Sequence, residues 1–239
     1  MSTEQPARSS AGGVLGVIPA RGGSKGLPRK NIRPLLDRPL IDYIIGTAHT
    51  ARLLDRVIVS TDDDEIAAIA KECGAEVPFR RPDELGGDAV PWVPVLQHAV
   101  RMMEEEHAFP VSAVVTLQPT TPLLDADCID ECIQIFLDTG CDVVTVCQDT
   151  RNYKIWRREE DGSYSPHFDL RRPNRQWVQH DYREDGYVYV SSRATLIEHD
   201  RLTGDGTRVV VRDDDLAIDM HDEVDFVIAE ALLKHFGRA

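Results

Sequence analysis

Nowhere in this sequence do apolar residues run for the roughly twenty positions that a membrane-spanning helix needs. No membrane partner is therefore expected. Cations are the minority charge. With 27 Lys and Arg against 41 Asp and Glu, the formal net charge is −14 and no basic stripe offsets it. That balance excludes non-specific nucleic-acid binding and suits solubility in the cytoplasm. Cysteine is sparse and odd in number: Cys73, Cys128, Cys132, Cys141 and Cys147 make no disulfide framework. Cys128 and Cys132 stand one helical turn apart, but without nearby paired Cys or His they read as buried reduced thiols rather than metal ligands. The compartment is then a reducing one. Residues 1–12 are read as a disordered tail, since Met1 to Ser10 are polar and lack the apolar core of a signal peptide. Two phosphate-binding signatures are missing as well. The chain's glycine-rich loop has neither the G-x-x-x-x-G-K-[ST] spacing nor G-x-G-x-x-G.

What the loop does contain is more telling. An apolar run ending at Val17-Ile18-Pro19 leads into Ala20-Arg21-Gly22-Gly23-Ser24-Lys25-Gly26-Leu27-Pro28-Arg29-Lys30-Asn31, with three glycines and four cations. Glycines let backbone N–H groups approach a phosphate closely, and the cations supply charge to meet it. In so acidic a chain this cluster is locally out of character. A nucleoside triphosphate is the expected ligand.

The rest of the chain alternates between two periods. Short β-branched or apolar runs at 14–18, 56–60, 112–117 and 142–146 predict strands. Helical spacing predicts helices near 40–51, 64–73, 93–106 and 127–137, with Gly74 and Gly140 as stops. Strand–helix alternation of this kind predicts a doubly wound α/β fold with a mainly parallel sheet. Ligands sit at the carboxyl ends of such strands. The glycine-rich loop, Thr61-Asp62 and Gln118-Pro119-Thr120 each follow a strand directly. The pattern breaks between about 151 and 185, where Tyr153, Trp156, Tyr164, Phe168, Trp177 and Tyr182 fall without a clean period. This reads as an insertion in one domain spanning 13–239. Alternation resumes at 186–191, and 224–235 reads as a closing amphipathic helix.

Run together, these segments resemble the acylneuraminate (CMP-sialic acid synthetase-like) cytidylyltransferase family. The similar stretches are Ile18 to Arg33, Asp55 to Asp62, Gly74 to Phe79, Arg81 to Leu85, Leu117 to Leu123, Arg183 to Tyr189, and Ile218-Asp219, so the resemblance covers about residues 14–235. It implies a nucleotide-diphospho-sugar transferase-like sheet whose inserted lobe forms a homodimer. It also implies transfer of CMP from CTP to a small acidic acceptor, with Mg²⁺ as cofactor and pyrophosphate leaving. Nucleotide contacts would come from Ala20, Arg21, Gly22, Gly23, Ser24, Lys25, Lys30, Arg81 and Asp88. Gln118, Lys154, Arg175, Gln176 and His221 would face the acceptor, and Asp219 with Asp222 the metal. Arg21, Lys30 and Asp219 would carry the catalysis, because crowded phosphate charge is the main barrier to nucleotidyl transfer. Lys30 is the first choice for the α-phosphate.

The chain departs from that family in places that bear on substrate. The family's second metal-site Asp is His221 here, with Asp222, or a water held by His221, as the substitute. An Arg that many members carry after the Gln-Pro-Thr run is Leu124. Pro91-Trp92 stands where relatives have small hydroxyl residues near the base, so Trp92 either stacks on the base or packs. Leu202-Thr203 replaces adjacent aromatics that hold an N-acyl group. Two acceptors therefore stay open: an acidic keto-sugar of the sialic or legionaminic type, or a small phosphonate such as phosphonoformate. A phosphonate oxygen is already ionised at neutral pH and needs no strong base. For a sugar hydroxyl, His221 is the candidate base. Asp62-Asp63-Asp64 supports a different class, a nucleotide-sugar-dependent glycosyltransferase with an Asp-x-Asp metal site. That reading leaves the cationic loop unexplained, and Asp63 to Glu65 also suit the acidic first turn of a helix. A binding module that has lost its chemistry is a further alternative.

Overall fold

A computed structural model describes residues 12–23, 26–149, 156–166, 181–212 and 218–238. Strand β1 (Gly13–Pro19) alternates its side chains strictly: Val14 and Ile18 enter one core, Leu15 and Val17 the other. A strand buried on both faces belongs in the middle of a sheet with helices on either side. β1 pairs in parallel with β4 (Arg56–Ser60) on one flank and β5 (Val111–Leu117) on the other. Beyond β5 lie β9 (Tyr182–Ser192), then β6 (Val143–Asp149), then the edge strand β10 (Thr207–Val211). The order is β10-β6-β9-β5-β1-β4, with β9 alone antiparallel to its neighbours. The mainly parallel doubly wound sheet is as the sequence predicts.

Helices α1 (Leu40–Thr50), α2 (Asp64–Glu72) and α4 (Ala126–Thr139) cover one face through Ile41, Ile44, Ile66, Ile129 and Ile133. The other face is covered by α3 (Trp92–Glu105) and the short α5 (Arg193–Ile197). A third cluster matters most for function. Met220, Phe226, Ala229 and Leu233, from the segment leading into α6 (Glu223–His235), pack with Leu27, Leu35, Leu40 and Leu123. This cluster seats the C-terminal segment beside the glycine-rich loop. Arg33 reinforces it by placing Nη2 2.7 and 2.6 Å from the two oxygens of Glu223.

Several elements go beyond the sequence reading. The edge strand β10 is one, and α5 is another. Two small hairpins form separate two-stranded sheets: β2 (Pro34–Leu35) with β3 (Arg38–Pro39), and β7 (Trp156–Arg158) with β8 (Tyr164–Pro166). The second lies within the stretch read as an insertion. β9 starts earlier than expected, since Tyr182, Arg183 and Glu184 already pair with β6. All five cysteines are free thiols, with Cys128 and Cys132 buried on α4. No helix among the described residues is long and apolar enough to cross a membrane.

Candidate active site

The parallel strands β1, β4 and β5 end on the same edge of the sheet, and a cleft of about 590 Å³ opens there. Arg21, Lys30, Arg81, Asp88, Gln118, Asp219 and His221 all line it. Residues spread over two hundred positions of sequence thus meet because three strand-end loops and the C-terminal segment converge.

Lys30 begins a single 3-10 turn that follows the loop. Its Nζ donates to the carbonyl oxygen of Met220 at 2.5 Å, which holds the ammonium beside Asp219. Burial pushes the Lys30 pKa down, and the neighbouring Asp219 carboxylate opposes that shift. Met220 is fixed in turn by its own N–H, which donates to the Thr120 carbonyl at 3.0 Å. Asn31 ties the loop down from the other side, with Nδ2 3.0 Å from the Arg21 carbonyl oxygen. Arg21 itself forms an ion pair with Asp88 in the cleft.

Arg29 differs from expectation. It is not among the residues lining the cleft; its guanidinium turns away to grip Asp63, at 2.5 and 3.0 Å, and also bonds Glu65. Asp63 caps α2 by accepting the Ile66 N–H, and Asp64 and Glu65 form the acidic first turn. Asp62 accepts the Gly22 N–H at 3.3 Å and Arg81 Nη2 at 2.9 Å. The acidic trio is therefore engaged in scaffolding, which removes the Asp-x-Asp support for a glycosyltransferase. Gly22 has a steric reason: a Cβ there would stand 2.5 Å from Asp63 Oδ2.

Asp219 is the cleft's carboxylate beside Lys30. Its Oδ2 lies 3.2 Å from Nε2 of His221, whose side chain is largely exposed. Asp222, the other expected metal ligand, is engaged in helix capping instead. Its carboxylate caps α6, accepting Val224 N–H at 2.8 Å and Asp225 N–H at 3.2 Å, and it is not part of the cleft lining. No group of three or more His, Cys, Asp or Glu side chains placed to hold a metal occurs among the described residues. With Asp88 paired to Arg21, Asp219 is the cleft carboxylate that fits Mg²⁺, which commonly takes one or two carboxylates together with phosphate oxygens and water.

Leu85, Val90, Trp92, Val95 and Leu96 contribute apolar side chains to the cleft lining. Trp92 also packs on the core, so lining and packing coexist. Gln118 is held by Nε2 donating to Gly186 O at 2.5 Å, while its Oε1 accepts from Thr120 Oγ1 at 3.3 Å. Ala20 is buried and Gly23 is described at the loop, but neither is a lining residue. Leu202 packs against the second core rather than lining the cleft. Ser24, Lys25, Lys154, Arg175 and Gln176 lie outside the described residues.

Three cations, two carboxylates and several apolar side chains lining one cleft at the strand ends are the features of a nucleotide-binding α/β transferase. Within that class the chain belongs to the cytidylyltransferase family, which it matches over residues 15–236. It is 32% identical over 223 residues to the post-translational flagellin modification protein B of Campylobacter coli, covering 92% of this chain and 95% of that one. It is 31% identical over 231 residues to the CMP-N,N'-diacetyllegionaminic acid synthase of Campylobacter jejuni, covering 92% and 94%. The N-acylneuraminate cytidylyltransferase of Escherichia coli is 30% identical over 220 residues, 90% of this chain but 51% of that longer protein. Among solved structures, a CMP:2-keto-3-deoxy-manno-octonic acid synthetase complexed with CTP shares the fold, with a TM-score of 0.70 at 17% identity and coverage of 94% and 99%. The protein is a nucleotidyltransferase that uses CTP as its cytidylyl donor.

Proposed function

We propose that the enzyme transfers CMP from CTP to an acidic keto-sugar of the sialic or legionaminic type, releasing pyrophosphate. The observation that carries this reading is the meeting of Arg21, Lys30 and Asp219 in one cleft, in a chain whose relatives include synthases of CMP-linked sugar acids. The acceptor hydroxyl oxygen attacks the α-phosphorus as its proton passes to His221, and the bond to pyrophosphate breaks in line. Lys30 and Arg21 offset the charge that builds on the phosphates. Lys30 suits the α-phosphate because its ammonium is already anchored at Met220 beside Asp219. Asp219 would hold Mg²⁺, which supplies further charge neutralisation and orients the triphosphate. His221 orients Asp219 through the contact at 3.2 Å.

Trp92 and the other apolar lining residues, together with Arg81 and Asp88, suit the cytosine and its ribose. Gln118, which lines the same cleft as Asp219 and His221, suits the acceptor. Lys25, Ser24 and the loop amides would add to the phosphate site, and Lys154, Arg175 and Gln176 to the acceptor site. A homodimer is part of this reading. Trp156, Tyr164 and Tyr182, exposed on or beside the inserted segment, give it an apolar surface to cover. The free thiols fit the reducing cytoplasm, where CTP is available.

The test is pyrophosphate release from CTP and Mg²⁺ against sialic, legionaminic and pseudaminic acids, with phosphonoformate alongside. Turnover with a sugar acid is expected. Turnover with phosphonoformate alone would reassign the acceptor site to phosphonates. Release with none of them would overturn the acceptor class.

A further inference from the structure

Asp62 does not line the cleft, yet it touches two parts that do the binding. Its Oδ1 accepts the Gly22 amide of the phosphate loop at 3.3 Å and Arg81 Nη2 at 2.9 Å. Arg81 is only 3% exposed, lines the cleft, and has a buried Nε with no hydrogen-bond partner. Its backbone is fixed as well, with Arg81 N–H donating to Thr61 O at 2.8 Å. Gly86 packs closely on the Asp62 carboxylate, so the side chain is confined from a third direction. A guanidinium this buried needs a counter-charge, and Asp62 is the carboxylate the structure pairs with it.

We propose that Asp62 is a positioning residue for the nucleotide: it locks the glycine-rich loop to Arg81 and fixes the direction in which Arg81 meets CTP. The carboxylate is the joint between the strand-end loop after β1 and the segment after Phe79. Neither part can shift without breaking one of its two hydrogen bonds. This inference rests on Arg81 being a nucleotide contact.

Asp62→Asn keeps the shape and removes the charge. It should raise the KM and the calorimetric Kd for CTP by roughly 5- to 10-fold, because the bonds that Oδ1 accepts are weakened from charge-assisted to neutral ones. The KM for the acceptor should stay within about threefold, and kcat should change far less than KM for CTP. A purely structural role would instead lower the melting temperature and the active fraction while leaving the Kd for CTP unchanged, and that result would overturn the proposal. Arg81→Gln supplies the second arm. If Asp62 acts through Arg81, the double variant binds CTP no more than about threefold worse than Arg81→Gln alone. Fully additive losses would overturn the coupling. A CTP affinity unmoved by Arg81→Gln would refute the nucleotide role of Arg81 itself. Loss with Arg81→Gln but not with Asp62→Asn would remove only the positioning role.

Discussion

Lys30 and Met220 lie 190 positions apart in sequence, and the ammonium of one donates to the carbonyl of the other at 2.5 Å. That bond joins the loop that would hold the phosphates to the segment that carries Asp219. The cation and the carboxylate are assembled together, so neither half of the chain makes the site alone. Met220 is fully buried among Leu27, Leu35 and Phe226, which makes the junction rigid.

Replacing Lys30 by Ala should therefore cut kcat/KM by about 10²- to 10³-fold, the scale of losing one preorganised group at developing charge. The fold should survive, because the side chain lies at the cleft and not in the apolar cluster. Pyrophosphate release measures the first point and a thermal melt the second. A rate close to wild type would remove Lys30 from the phosphate site.

Asp219 and Asp222 should separate cleanly. Asp219→Asn should raise the Mg²⁺ concentration needed for half-maximal activity and weaken Mn²⁺ binding in the presence of CTP, read as a smaller drop in the free-ion electron paramagnetic resonance signal. Asp222→Ala should leave both unchanged. It removes an N-cap and should cost about 1 kcal/mol of stability, or roughly 2–4 °C in a chain of this size. Metal affinity lost in Asp222→Ala would mean the cap is also a ligand.

The same contrast shows what the sequence makes legible. Strand–helix alternation and the cationic loop depend on neighbours in sequence, so the parallel sheet and Arg21 or Lys30 can be read directly. Asp222 could not be resolved that way. An acidic residue two positions before Val224 reads equally as metal ligand or helix cap, and only the bonds to Val224 and Asp225 decide. In sequence Arg29 reads as a fourth phosphate cation, because its partners Asp63 and Glu65 are more than thirty positions away. The edge strand Thr207–Val211 lies outside the predicted strands, although Val209, Val210 and Val211 favour one. Val209 and Val211 are exposed on either side of buried Val210, so three consecutive valines hide the apolar–polar alternation by which a half-buried strand is recognised. The Arg21–Asp88 ion pair carries no local signal at all.

Gly186 should control the position of Gln118, the proposed acceptor contact. It sits in β9 at φ +78°, a conformation that strains any side chain, and a Cβ there would stand 2.6 Å from Gln118 Nε2. Gly186→Ala should push Gln118 from its place. The KM for the acceptor should rise about tenfold, equivalent to about 1.4 kcal/mol, with the KM for CTP nearly unchanged. Steady-state kinetics with each substrate varied in turn checks this. Equal effects on both would place Gln118 outside a specific acceptor contact.

The clasp between Arg29 and Asp63 should appear in the acid limb of stability. The Arg29 guanidinium, ahead of the bond from the Ile66 amide, holds the Asp63 pKa at about 2, below its usual 3.8. A carboxyl depressed on folding stabilises above its unfolded pKa, and the gain is lost as pH falls through the folded value. The shift corresponds to about 1–2 kcal/mol after allowing for screening of the partly exposed Arg29. Asn is as good an N-cap as Asp, so Asp63→Asn isolates the charge. Urea unfolding should show the variant less stable by about 1–2 kcal/mol at pH 7. The gap should narrow from pH 4 downward and close near pH 2. Adding salt at pH 7 should shrink it too, since about a third of the Arg29 side chain meets solvent. Parallel curves across the whole range would mean the clasp contributes through shape alone, with no share from its charge.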